Sequence, residues 1–257
     1  MVDFKKLRSH KDYQKRDNPI DIFKDLDKKV GKEYLRPAQE EVLNQYYEKF
    51  REQKDTIIKL PTGHGKTLIG LLILQSSLKE GKGPAVYLCP NTYLVNQTVE
   101  QARFFGIKTV ISGAGEGLPN EFLNSEAVLI TTCSKLFNGY SKFGVSGSRN
   151  SETISIGSLV MDDAHKCLDI IHDAFSIKVK NDTDTYKELF LLFKDALKKQ
   201  ESGTYDEIFN CYPGSQLAVP YWKWYDQEDA IINIIRKNIG SVEFLNENQK
   251  RQSSNQS

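Results

Sequence analysis

Apolar positions recur along this chain in two alternating periods. Residues 56–60 form a short β-rich run that ends in a glycine-containing loop, and residues 68–78 follow with the apolar pattern of a buried helix. The same order returns as a strand at 85–89, a helix at 92–105, a strand at 109–112, a strand at 127–131 with a short helix at 134–137, and a strand at 158–161. Strands alternating with helices build a mostly parallel sheet covered on both faces, so the pattern predicts an α/β fold. Upstream, Val42, Leu43, Tyr46, Tyr47 and Phe50 recur at helical spacing behind Pro37, whose missing N–H suits a first turn, which predicts a helix over 36–51.

After Asp163 the pattern changes. Tyr186, Leu189, Phe190, Phe193, Ala196 and Leu197 mark one face of a helix entered through Asp182 or Thr183, and Ile231, Ile232 and Ile235 mark another. Residues 138–157 are rich in Gly, Ser and Asn and read as a flexible surface connection. Residues 1–33 carry ten Lys/Arg and seven Asp/Glu around few apolar anchors, which suggests an extension with one short helix. The expected organisation is that extension at 1–33, an α/β domain at 34–178, a helical insertion at 179–245 and a polar, disordered tail at 246–257.

Length and composition narrow the function classes. The 257 residues suffice for one large α/β domain but not for two. With 39% hydrophobic and 27% charged residues the balance is that of a globular protein. The apolar run after the loop is far shorter than the ~20 residues that cross a bilayer, and the basic N-terminus has no apolar core behind it, so a cytoplasmic location without membrane contact is expected. Cys89, Cys133, Cys167 and Cys211 lie too far apart for zinc or redox motifs and read as reduced thiols. A formal net charge of +1 neither favours nor excludes nucleic acid.

The chemistry concentrates at Pro61, Thr62, Gly63, His64, Gly65, Lys66 and Thr67. Two glycines let the backbone N–H groups converge on phosphate oxygens at the positive end of the following helix. Lys66 supplies a compact cation for the β and γ phosphates, and Thr67 can place its hydroxyl on a magnesium ion. The strict form of such a loop has a glycine where this chain has Leu60. His64 is given no side-chain chemistry; its place in the loop is a matter of backbone. A second cluster, Gly113, Gly115 and Gly117, precedes Leu118 and Pro119 rather than a lysine and a helix, and reads as an ordinary loop. The second half of a phosphate site should be a carboxylate at the C-terminal end of another strand. Asp162 is placed to hold the magnesium and Asp163 to orient or deprotonate an attacking water.

Together these residues make the chain resemble the first RecA-like domain of superfamily 2 helicases, of the DEAD/DEAH-box and restriction-translocase kind, over about residues 34–167. The loop is similar to motif I of that family, and Asp162, Asp163, Ala164 and His165 to its DEAH motif II. Arg36, Pro37, Ala38 and Gln39 look like the adenine-reading segment upstream, which makes Gln39 the partner of the adenine edge. Pro90, Asn91 and Thr92 resemble the start of motif Ia, and Thr131 and Thr132 a later single-strand contact motif. By the same resemblance His165 couples the ATP site to the nucleic-acid side.

Two departures shape the expected activity. Asp163 stands where the family carries glutamate, one methylene longer, which predicts slowed hydrolysis. No second RecA-like domain is present in the sequence, so binding without translocation is expected. The leading reading is the ATP-binding, Mg2+-dependent half of a DNA or RNA motor, with Lys66 and Asp163 as catalytic groups and a second domain or partner chain required. The alternative is a regulatory or split module that binds ATP or a partner chain without turnover. The aromatic segment Tyr221, Trp222, Lys223, Trp224 and Tyr225 could stack on unpaired bases, but packing of the insertion is the favoured reading.

Overall fold

The computed structural model describes residues 16–29, 31, 34–113, 117–138, 141–143 and 153–244. These residues form two compact units that meet in the sequence at His172 and Asp173.

The first unit is built on a parallel sheet of four strands in the order β2-β3-β1-β4, with β1 at Ala85–Cys89, β2 at Thr109–Val110, β3 at Val128–Thr132 and β4 at Ser158–Met161. Its helices are α1 (Pro19–Asp25), α2 (Pro37–Gln45), α3 (Lys66–Glu80), α4 (Thr92–Phe104), α5 (Asn120–Leu123), α6 (Cys133–Leu136) and α7 (Ala164–Ala174), the last running past the unit boundary. α2 continues as a π-helical turn over Tyr46–Phe50, so the helix expected at 36–51 forms with a change of pitch.

All five residues of β1 are buried, as a parallel strand covered on both faces requires. Alternation assigns them to two cores. Ala85, Tyr87 and Cys89 join Leu68, Leu72 and Val128 on the side of α1, α2, α3 and α4, whereas Val86 and Leu88 join Phe122, Leu129, Cys133 and Cys167 on the other side. The fold is thus the expected doubly covered α/β sheet. Part of the connection expected to be a flexible surface is packed: Ser141 is buried, and Phe143 sits edge-on to Phe122 at 6.1 Å. Other parts of that connection, along with Gly115, the N-terminal fifteen residues and the polar tail, lie outside the described residues.

Residues 56–60 depart from expectation. They run directly into the loop but pair with no strand, and Ile57 is 95% exposed. A β-branched run predicted a ladder partner; the structure provides none, and among the described residues β4 has β1 as its sheet neighbour.

The second unit carries α8 (Asp184–Leu192), α9 (Lys194–Gln200), α10 (Ser202–Phe209), α11 (Tyr221–Asp226) and α12 (Glu228–Lys237). Thr183 caps α8 by accepting from the Tyr186 N–H at 3.2 Å, as the sequence indicated. The single helix expected to follow breaks at Phe193, which turns inward with Leu197, Tyr205 and Ile231 as the core of this unit. The unit is not wholly helical: β5 (Ile177–Val179) and β6 (Val242–Phe244) pair antiparallel.

Candidate functional site

The loop at 61–67 lies between the unpaired extended segment and α3. Gly63 and Gly65 take φ of 83° and 73°, left-handed values that favour glycine. Gly65 is the N-cap of α3 and offers no side-chain cap, so the first N–H groups of a 15-residue helix remain available to an anion. Pro61, Thr62, His64 and Lys66 are exposed and Thr67 is half-buried. His64 Nδ1 lies 3.3 Å from the Thr62 carbonyl, inside its own loop.

Arg36 and Gln39, at the start of α2, brace this loop. The Arg36 guanidinium donates to the Gly63 carbonyl at 2.5 Å. Gln39 is 5% exposed; its Oε1 accepts from the Arg36 N–H at 3.0 Å and its Nε2 donates to the Gly65 carbonyl at 3.3 Å. A Cβ at position 65 would also meet Gln39 Nε2, so a side chain there would push the bracing amide aside. Each end of the Gln39 amide thus holds one backbone group and keeps one further hydrogen-bonding site.

Asp162 and Asp163 follow β4 directly. The Asp162 N–H donates to the Leu88 carbonyl at 2.9 Å, which fixes this turn beside the end of β1. Burial lifts the Asp162 carboxyl above the ordinary carboxylate range, while the Asp163 N–H, the Tyr87 phenol and the Lys66 cation act in the opposite direction. Lys66 is therefore within electrostatic reach of Asp162. Asp163 adopts φ 48° without being glycine, a conformation that costs about 1–3 kcal/mol and persists where the surroundings hold it. Its carboxylate is 3.1 Å from Lys166 Nζ, an exposed pair of small energetic weight. His165 is exposed near the start of α7.

The Thr67 hydroxyl and the Asp162 carboxylate both act on the phenol of the buried Tyr87, which places the three side chains near one another. A hydroxyl and a carboxylate beside a phosphate-binding backbone are hard oxygen donors suited to Mg2+, which takes one or two protein oxygens and fills its shell with phosphate and water. Among the described residues no three His, Cys, Asp or Glu side chains gather as a metal cage, so the donor set fits a cation shared with a phosphate. Thr67 and Asp162 are the residues that would hold it.

The strand ends that follow β1, β3 and β4 lie on one edge of the sheet, since Cys89 is in register with Thr132 and Leu88 with Met161. Asn91 caps α4, its Oδ1 accepting from the Leu94 N–H at 3.0 Å. Pro90 and Thr131 are buried, Thr132 is half-buried, and Asn91 and Thr92 are exposed. In α11, Trp224 packs on Phe193 with ring centroids 4.8 Å apart, whereas Tyr221 and Tyr225 are 80% exposed; the packing reading holds for one side chain and not for the segment. Two neighbours of the site escaped the sequence reading. Lys166 gives no signal beyond its i,i+3 spacing from Asp163, and Tyr87 shows only as a polar-tipped ring in an otherwise apolar strand.

A family model described as DEAD/DEAH box helicase matches residues 36–192. The chain is similar to the ATP-dependent DNA helicase Hel308 of Pyrococcus horikoshii, with 32% identity over 146 residues that make up 55% of this chain and 19% of that protein. It is also similar to the ATP-dependent DNA helicase Hel308 of Pyrococcus abyssi, with 26% identity over 151 residues, 58% of this chain and 20% of that protein. The chain thus spans about a fifth of the length of these relatives. No solved structure matches it. No helix among the described residues is long and apolar enough to cross a membrane.

Proposed function

Since this chain belongs to the DEAD/DEAH box helicase family, we propose that its helicase ATP-binding domain hydrolyses ATP with Mg2+ when a second RecA-like domain completes the site, and that turnover drives movement along a single nucleic-acid strand. The observation that carries this reading is that the exposed loop lysine, Lys66, lies within electrostatic reach of the half-buried carboxyl of Asp162. Lys66 and the N–H groups at the start of α3 supply positive charge for the phosphates. Thr67 and Asp162 hold the cation, which when bound neutralises charge developing on the transferred phosphoryl group. Asp163 orients the attacking water, and Asn91, Thr92 and Thr132 face the strand. The relatives named as DNA helicases favour DNA over RNA.

The Lys166 contact favours a second reading, in which the domain binds ATP without turning it over. Asp163 is one methylene shorter than the family's glutamate, and its carboxylate already has a partner at 3.1 Å. Hydrolysis by the purified chain, with and without single-stranded DNA or RNA, separates the two. The motor reading expects slow, strand-stimulated turnover that Lys66→Ala lowers by about 10²-fold or more. ATP binding with no turnover, in the chain and in Asp163→Glu alike, supports the second reading; turnover unaffected by Lys66→Ala contradicts both.

A further inference from the structure

Tyr87 belongs to neither the loop nor the acidic turn, yet it lies between them. It occupies the middle of β1, is 1% exposed, and stands in register with Val160 of β4. A buried tyrosine hydroxyl needs a hydrogen-bond partner. The polar side chains that act on this one are the Thr67 hydroxyl and the Asp162 carboxylate.

The route that brings the ring there is opened by Gly70 of α3. A Cβ at that position would stand 2.8 Å from Tyr87 Cε2 and 2.9 Å from Val160 Cγ1, distances that real Cβ atoms do not keep. Gly70 follows Thr67 by about one helical turn, so both lie on the same face of α3. The ring passes against bare backbone at Gly70, one turn from Thr67 on the same face of α3.

We propose that Tyr87 is a positioning residue for the cation side of the site: its phenol, admitted by Gly70, sets the Thr67 hydroxyl and the Asp162 carboxylate in the relative orientation that Mg2+ needs. This rests on the reading that the loop binds a nucleoside triphosphate with Mg2+. In the proposed arrangement the phenol donates to the Asp162 carboxylate and the Thr67 hydroxyl donates to the phenol oxygen, which leaves the Thr67 lone pairs free for the cation. Asp162 Oδ1 also accepts the Asp163 N–H at 3.1 Å, so the carboxylate is held from two directions. Mg2+ tolerates little departure from octahedral geometry, and loss of an outer partner of a metal ligand typically lowers metal affinity 10–100-fold.

Tyr87→Phe removes only the oxygen and keeps the packed ring. The test is binding of a fluorescent ATP analogue to the chain, once in chelator and once across a Mg2+ titration, for the wild type, Tyr87→Phe, Thr67→Ala and the double variant, with thermal midpoints alongside. The expected result is unchanged chelator binding and thermal midpoint in Tyr87→Phe, a Mg2+ midpoint raised about tenfold, and a smaller further rise when Tyr87→Phe is added to Thr67→Ala than when it is made alone. A Mg2+ midpoint within twofold of wild type, or a loss equal in chelator and in Mg2+, overturns the positioning role while leaving the nucleotide reading intact. Absence of analogue binding by the wild type overturns the nucleotide reading and this inference with it.

Discussion

Gly70 carries two opposed effects whose sizes can be compared. Within a helix, replacing glycine by alanine gains about 1 kcal/mol of propensity. At this position the added methyl meets Tyr87 and Val160 below 3 Å, and Tyr87 has almost no exposed surface through which to yield, so overpacking of about 1–3 kcal/mol opposes the gain. Gly70→Ala is therefore expected to lower stability in urea unfolding, by about 1 kcal/mol net; a stabilised variant would show that the ring does not pass there. The same side chains show what the sequence could disclose at this scale. The loop from Pro61 to Thr67 and the Asp162–Asp163 pair are contiguous in the chain, and local spacing sufficed to single them out. The contacts of Tyr87 join three elements, and the bracing of Gly65 by Gln39 joins two, so neither was legible before the chain was folded.

Elements were legible where their own residues carried a marked apolar pattern. The strand at Ala85–Cys89, the strand at Ser158–Met161 and the helices at Lys66–Glu80 and Thr92–Phe104 lie where periodicity put them, because each is held by neighbours that its own apolar residues require. The run at 56–60 has strand composition but no ladder, since propensity describes a fit to a pleated surface and no strand adjoins it among the described residues. Ile57 then decides between the two descriptions. At 95% exposure, Ile57→Ser is expected to change the free energy of unfolding by less than about 0.5 kcal/mol. A loss of about 1.5–3 kcal/mol, the worth of a fully buried isoleucine, would mean that the segment does sit in a sheet. The antiparallel pair of β5 and β6 was missed for a different reason: each is three residues long and its partner lies more than sixty residues away, beyond any local pattern. The break at Phe193 is likewise tertiary, as the ring turns into its own core and meets Trp224.

At the scale of the whole molecule, the parallel sheet covered on both faces was legible from the alternation of strands and helices, and the family from two motifs in the right order and separation. The division into two units was harder to read, because α7 runs on past the acidic turn and across the boundary at His172 and Asp173, without the glycine or proline that punctuates most domain limits. The relatives are about five times longer than the matched region, so the motor activity of the whole protein is our proposal, whereas nucleotide binding belongs to the residues at hand. Calorimetric titration of ATP with Mg2+ into the purified chain and into Lys66→Ala is the most direct measurement of that claim. Saturable one-to-one binding that weakens at least about tenfold in the variant is expected, the loss of one charge-assisted contact to phosphate. No binding by the wild type, or equal binding by Lys66→Ala, would contradict it.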